Sequence, residues 1–94
     1  MTTLCPIRNM TSDQRRALMA KLAASLSRKA EYAGHEGNEA LAMVMRAVGS
    51  AMEEAGADIA EHDIALAEDV VARAMSLIVT FRCLYPEDGV ATVH

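Results

Sequence analysis

The sequence is poor in aromatic residues: among its 94 residues there are one Phe, two Tyr and no Trp. The scarcity of aromatic residues and of strand-favouring runs argues against a β fold. Two cysteines do not make the framework of a disulfide-stabilised secreted domain. We therefore expect a cytoplasmic protein in which Cys5 and Cys83 are free thiols, with a Cys5–Cys83 bridge as the less favoured alternative.

Long apolar runs are also missing. The longest apolar stretch without a charged residue is 74–81, far shorter than the ~20 residues of a membrane-spanning helix. Residues 1–10 lack the charged start and apolar block of a secretory signal. The sequence thus predicts no association with a membrane.

Alanine and methionine supply much of what is present, with 18 Ala and seven Met in a chain that is 52% hydrophobic. Alanine favours helices and lets helix axes approach closely, whereas methionine fills irregular gaps. A chain of this length forms one domain with a small core, for which association is a common remedy. We predict a single all-α domain.

Capping signals place the first helix between an irregular arm, residues 1–11, and a glycine-containing connection. Thr11 and Gln14 have the spacing of a capping box, so helix 1 is predicted over residues 12–32. Gly34 suits the left-handed position that ends a helix.

The second helix is predicted over residues 39–55. Asn38 is a favourable N-cap, and Gly56 is interpreted as the terminator. The apolar face is predicted from the larger side chains and alanines, namely Leu41, Val44, Met45, Val48, Ala51, Met52 and Ala55.

The third helix has two possible starts. We favour a start at Asp58, which predicts a helix of about 26 residues and roughly 40 Å that ends at residue 85. The alternative start is a cap at Asp63. Pro86 stops the helix, and residues 86–94 form a tail. Short connections make successive helices antiparallel, so the domain is predicted to be an up-down-up three-helix unit with a long C-terminal helix.

Helix 3 carries more apolar surface than two neighbouring helices can cover. One seam repeats at spacings of three and four: Ile64, Ala67, Val71, Ala74, Ile78, Phe81 and Tyr85. A second row lies beside it: Leu66, Val70, Leu77 and Leu84. A helix that is apolar on several sides must be covered on several sides. We therefore expect a helical-bundle homodimer, with an interface formed by Val71, Ala74, Leu77, Ile78, Phe81, Leu84 and Tyr85.

Charge is unevenly distributed along the chain. Residues 1–30 carry six basic side chains and one acidic one, whereas residues 31–69 carry ten acidic side chains and one basic one. The acidic middle predicts a surface that binds a partner protein with a basic surface. The alternative is a solvated face that forms ion pairs within the chain. The candidate partner-binding residues are Glu39, Glu53, Glu54, Asp58, Glu61 and Asp63.

The basic residues of helix 1 could in principle bind nucleic acid, because their positive charges could contact phosphates. They spread around the helix instead of forming one stripe, and the chain has a net charge of −4. A nucleic-acid binder is typically basic and often carries aromatic side chains on which bases stack. The sequence therefore argues against direct binding of nucleic acid.

Motifs for catalysis, metals and cofactors are lacking. Glu31 and His35 are four residues apart, as are Asp58 and His62, but the repeated Glu-x-x-His spacing of helical metal sites is missing. The sequence contains no Gly-x-Ser-x-Gly motif and no glycine-rich phosphate loop after a strand. Cys83 has no nearby His or Cys and is interpreted as a small buried apolar residue beside the seam of helix 3. We expect neither an enzyme nor a protein with a metal or a cofactor.

The function predicted from these features is that of a small acidic helical regulator that acts by protein–protein binding. We expect an inhibitor or adaptor of the type that phages and plasmids encode. Its target would handle nucleic acid, and an anti-CRISPR-like or anti-activator role is one form of this hypothesis. The alternatives are a small dimeric DNA-binding regulator that uses basic helix 1, a structural or assembly oligomer, and a metal or redox protein.

Overall fold

The computed structural model describes residues 7–86, so most of the predicted arm and all but the first residue of the predicted tail lie outside the described part. The same holds for Cys5 and His94. Within residues 7–86 the chain is helical and contains no strand, which confirms the all-α prediction. The elements are a short 3₁₀ helix and three α-helices: η1 (Ile7–Asn9), α1 (Ser12–His35), α2 (Glu39–His62) and α3 (Ile64–Leu84).

The start of α1 and the α1–α2 connection follow local capping chemistry. The Gln14 N–H donates to the Thr11 hydroxyl at 3.1 Å, and the Thr11 N–H donates to the Gln14 side chain at 2.9 Å, which confirms the capping box. The prediction that α1 ends before Gly34 is wrong: the helix continues through Gly34. The positive φ of 86° belongs to Gly37. Asn38 caps α2, as predicted, by accepting from the Leu41 N–H at 3.2 Å.

The boundary between α2 and α3 lies at Asp63, the less favoured of the two predicted starts. The Asp63 side chain accepts from the Leu66 N–H at 3.0 Å, and its own N–H donates to the Ile59 carbonyl at 2.9 Å. Asp63 therefore ends α2 and caps α3. As a result α3 has 21 residues and is shorter than α1 and α2, which have 24 each.

Gly56 does not terminate α2, as the sequence suggested, but lies on the buried face of that helix. A Cβ on Gly56 would lie 3.3 Å from the Cβ of Met19, and one on Gly49 would lie 3.4 Å from the Cβ of Leu26. These two close approaches are seven residues apart on each helix, the repeat of coiled-coil packing. The same antiparallel register places three further buried pairs opposite each other: Ala23 with Met52, Ala30 with Met45, and Ala33 with Ala42.

Large side chains therefore face small ones across most of the α1–α2 contact. Met19 and Leu26 of α1 lie opposite glycines, whereas Met45 and Met52 of α2 lie opposite alanines. This complementarity lets the two backbones approach closely without leaving voids. The buried face of α2 thus includes small residues that the predicted apolar face omitted, namely Ala42, Gly49, Gly56 and Ala60.

α3 packs on this antiparallel pair through the predicted seam. Its buried residues are Ala67, Val71, Ala74, Ile78 and Phe81. Near its C-terminus the Phe81 ring meets the Tyr32 ring of α1 edge to face, with centroids 5.6 Å apart, and Tyr85 completes the cluster at 5.1 Å from Phe81. At the other end, Arg8 of η1 forms an ion pair with Glu68 at 2.9 Å. These contacts place the start of α3 near the start of α1, which is the up-down-up arrangement.

One buried charge joins three parts of the chain. The Arg15 Nε donates to the Ala60 carbonyl at 2.6 Å, and its Nη1 donates to the Met10 carbonyl at 2.6 Å. The first carbonyl belongs to the last turn of α2, where helical partners are missing and a positive charge is favourable. Arg15 therefore holds the chain around η1 against the end of α2.

Candidate functional site: the acidic surface of α2

Four of the predicted partner-binding acids lie on the C-terminal half of α2, and all four side chains are exposed. We call Glu53, Glu54, Asp58 and Glu61 the acidic surface. Glu54, Asp58 and Glu61 lie on another side of the helix from the residues that α2 buries against α1, namely Gly49, Met52, Gly56 and Ala60. Glu53 lies at the edge of that buried face. The acidic surface is therefore available to another molecule without any change in the fold.

One ion pair and one hydrogen bond engage only part of this surface. Glu61 lies 3.8 Å from Arg16, and Asp58 lies 3.1 Å from the imidazole Nδ1 of His62. Among residues 7–86, no basic side chain forms an ion pair with Glu53 or Glu54. Glu53 nevertheless lines the same open depression as Arg16 of α1.

The other two predicted partner-binding acids have different positions. Asp63 is exposed, but its side chain caps α3, so its role in the fold is already assigned. Glu39 is exposed in the first turn of α2, at the opposite end of that helix from the acidic surface. A carboxylate in the first turn also stabilises the positive end of the helix dipole. The structure thus brings four of the six predicted residues together.

The basic residues of α1 have mostly intramolecular roles. Arg15 is buried, and Arg16 pairs with Asp13 as well as with Glu61. Lys29 donates to the Ser25 hydroxyl at 3.1 Å, and its Nζ lies 5.7 Å from the centroid of the Phe81 ring.

Only two basic residues of α1, Lys21 and Arg28, are exposed and form no ion pair with the described residues. Arg28 lies beside Arg46 of α2 and Glu31 in an open depression on the α1–α2 surface. A continuous basic stripe that could follow a nucleic-acid backbone is therefore not present on the described part of α1.

The seven predicted interface residues fall into two groups. Four of them are buried within the subunit and pack against its own helices: Val71, Ala74, Ile78 and Phe81. These four do not form a subunit interface as long as the fold is kept, because they belong to the core. Leu77 and Tyr85 are half-buried, and Leu84 is exposed. Surface for a second molecule therefore lies at the edge of the predicted seam.

An apolar groove between α2 and α3 was missed at the sequence level. It has a volume of about 240 Å³ and is lined by Val44, Val48, Arg73, Ser76 and Leu77. Val44 had been assigned to the buried face of helix 2, but 49% of it is exposed. The second apolar row of α3 was the signal that could have revealed this groove.

Reactive groups do not gather at any place in residues 7–86. No three His, Cys, Asp or Glu side chains in that range lie close enough together to hold a metal ion. Cys83 is a free thiol and is exposed, so the prediction that it is buried beside the seam is wrong. The described helices include none with both the length and the apolar character needed to cross a membrane.

The chain shows no match to a known protein-family model, to a curated protein or to a solved structure.

Proposed function

We propose that this protein is a small regulator that binds another protein through the acidic surface of α2. The observation that supports this proposal is the pair Glu53 and Glu54, two exposed carboxylates that form no ion pair within residues 7–86. Exposed charges of one sign select partners of the opposite sign and increase the rate of encounter. Asp58 and Glu61 extend the negative potential along the same helix.

The partner would carry a basic surface. Proteins that handle nucleic acid expose such surfaces to the phosphate backbone, and an acidic helix can occupy them in place of the nucleic acid. An inhibitor or adaptor of a nucleic-acid-handling protein, of the phage or plasmid type and acting in the cytoplasm, is the role that fits this chemistry best. The basis for this assignment is the negative charge of the surface and the small size of the chain.

The alternative of a DNA-binding regulator has less support. Arg15 is committed to the core, and Arg16 is opposed by two carboxylates. Lys21 and Arg28 alone would supply few of the phosphate contacts on which nonspecific binding of DNA depends. We expect no shift of random-sequence duplex DNA at low salt in a mobility-shift assay.

The decisive experiment compares two pairs of charge reversals in a pull-down from the source cell, followed by titration of the captured protein. Glu53→Lys with Glu54→Lys should weaken binding by about tenfold or more and make it less sensitive to salt, because screened electrostatic attraction is lost. The control is Glu36→Lys with Glu39→Lys, an equal change of charge on exposed residues at the other end of the hairpin.

Two results would contradict the proposal. The first is an affinity and a salt dependence that stay the same after reversal at Glu53 and Glu54. The second is an equal loss of binding in both double variants, which would indicate a response to net charge alone. Circular dichroism of each variant establishes that the helices are intact.

A further inference from the structure

A second surface of the molecule has the opposite character from the acidic surface. On α3, Leu66, Val70, Leu77 and Leu84 follow one another at helical spacings of four, seven and seven residues. On α2, Val44 and Val48 line the same groove as Leu77. Leu66, Leu84 and Val44 are exposed, and the other three are half-buried. We call these six residues the α2/α3 face.

The only charges on the α3 side of this face neutralise each other. Arg73 lines the groove, and its Nε donates to Asp69, one helical turn away, at 2.9 Å. Ser76, which also lines the groove, is uncharged. A face with no net charge offers nothing to the basic partner proposed for the acidic surface. It does permit a second copy to approach, even though each whole chain carries a net charge of −4.

The dimensions of the face match those of a small dimer interface. The 21 residues of α3 span about 31 Å, and two packed helices are roughly 20 Å wide. The whole α2–α3 side of the molecule thus has a projected area of about 600 Å² per subunit. Two such sides would bury about 1,200 Å² if they covered each other completely, which is the lower limit for a stable specific interface. The six residues are aliphatic and include none of the Trp, Tyr and Arg anchors that dominate many interfaces between different proteins.

From these observations we infer that the α2/α3 face is the interface of a two-fold symmetric homodimer of this chain. Each face covers the other about a two-fold axis, so this contact closes at two subunits. The ion pair of Arg73 and Asp69 is compatible with this arrangement because each partner can also meet its opposite charge on the second copy. The acidic surface takes no part in the contact and stays exposed on both subunits.

Two matched valines test this inference. Val44 lies on the α2/α3 face and is 49% exposed, whereas Val79 lies on a different side of α3 and is 57% exposed. Val44→Glu and Val79→Glu make the same chemical change at similar exposure. Sedimentation equilibrium of the full chain, from about micromolar to about millimolar concentration with a reductant to protect Cys83, measures the dissociation constant of each protein.

We expect the unsubstituted chain to be a dimer, with a dissociation constant that rises by about tenfold or more in Val44→Glu and changes by less than about threefold in Val79→Glu. Thermal unfolding of both variants establishes that they fold. As a measurement that needs no variant, the methyl NMR signals of Val44 should shift with protein concentration, whereas those of Val79 should not.

Several outcomes would overturn the inference. A chain that remains monomeric at millimolar concentration excludes a second copy as the occupant, and an assembly larger than two subunits excludes a closed two-fold contact. Equal dissociation of both variants places the interface elsewhere. None of these outcomes bears on the acidic surface, because reversal of Glu53 and Glu54 should leave the dissociation constant of the dimer unchanged.

Discussion

The two sides of α2 pack in different ways. Towards α1, Gly49 and Gly56 bring the backbones so close that an added Cβ would lie 3.3 to 3.4 Å from the side chains of the neighbouring helix. Towards α3, the aliphatic side chains of Val44 and Leu77 leave an open groove between them. Small residues thus close one helix contact, and larger residues hold the other open. The side of a helix that binds a partner need not be its most apolar side in sequence. The size of the side chains determines how much apolar surface stays exposed after the helices have packed.

The largest difference in stability between two variants is expected on α3, which also has one side packed in the core and one side that is exposed. Phe81 is fully buried against Tyr32, whereas Leu84 is 52% exposed. We expect Phe81→Ala to lower the free energy of unfolding by about 3–5 kcal/mol, because it removes an aromatic core residue and leaves a cavity. Leu84→Ala should change it by less than about 0.5 kcal/mol. Urea denaturation at a protein concentration low enough to keep the proposed dimer dissociated measures both values.

A similar cost for the two changes would show that α3 is not anchored through the aromatic cluster. Phe81→Leu serves as the intermediate control because it retains most of the buried apolar volume. It should lie between the other two variants.

A large side chain distinguishes the two sides of α2 directly. Gly49→Leu would force α1 and α2 apart and should destabilise the fold by about 1–3 kcal/mol, even though leucine favours helices more than glycine does. Ala51→Leu places the same side chain on an exposed position of the same helix. It should stay within about 0.5 kcal/mol of the unsubstituted protein.

The melting temperature of each variant measures this contrast. If Gly49→Leu were as stable as Ala51→Leu, the close approach of α1 and α2 at Gly49 would not contribute to packing.

The smallest effect on stability is expected at Asp63, the single residue that joins α2 to α3. Asp63→Ala removes the acceptor for the Leu66 N–H and should cost about 1 kcal/mol. Asp63→Asn keeps an oxygen at that position and should cost only a few tenths of this value. Chemical denaturation of both variants checks the assignment. Equal losses in the two would indicate that the negative charge matters more than the cap.

Local signals were sufficient to predict most of the fold. The capping box at Thr11 and the cap at Asn38 are made by residues three positions apart, so the sequence contains all their chemistry. The predicted seam of α3 is also largely confirmed, since five of its seven residues are buried. A repeat of seven residues determines which face is covered whatever the neighbouring helix is.

The remaining errors arose where tertiary packing changes the meaning of a residue. Gly56 resembles a helix terminator in sequence, but it is retained inside α2 because Met19 occupies the space that a Cβ would need. Arg15 resembles a surface charge, but it is buried because carbonyls of Met10 and Ala60 converge on it. No local pattern reports how close a distant segment will come.

The candidate site was predictable to about the same extent as the fold. Exposure of Glu54 follows from the helical period, since it lies away from the buried face. Glu53 lies one helical turn from the buried Gly49 and Gly56, so the period alone did not predict its exposure. The separation of Glu39 from them could also have been anticipated, because it lies at the other end of the same helix. The role of Asp63 depended on where α3 begins, which two competing caps left open.

An odd number of helices has a consequence for how this bundle can be used. Arg8 contacts the beginning of α3, whereas Tyr85 contacts the ring of Tyr32 near the far end of α1. The backbone therefore enters at one pole and exits at the other, across a body whose longest dimension is 37 Å. Modules joined before and after such a body would be held apart by it, so the bundle would serve as a rigid spacer.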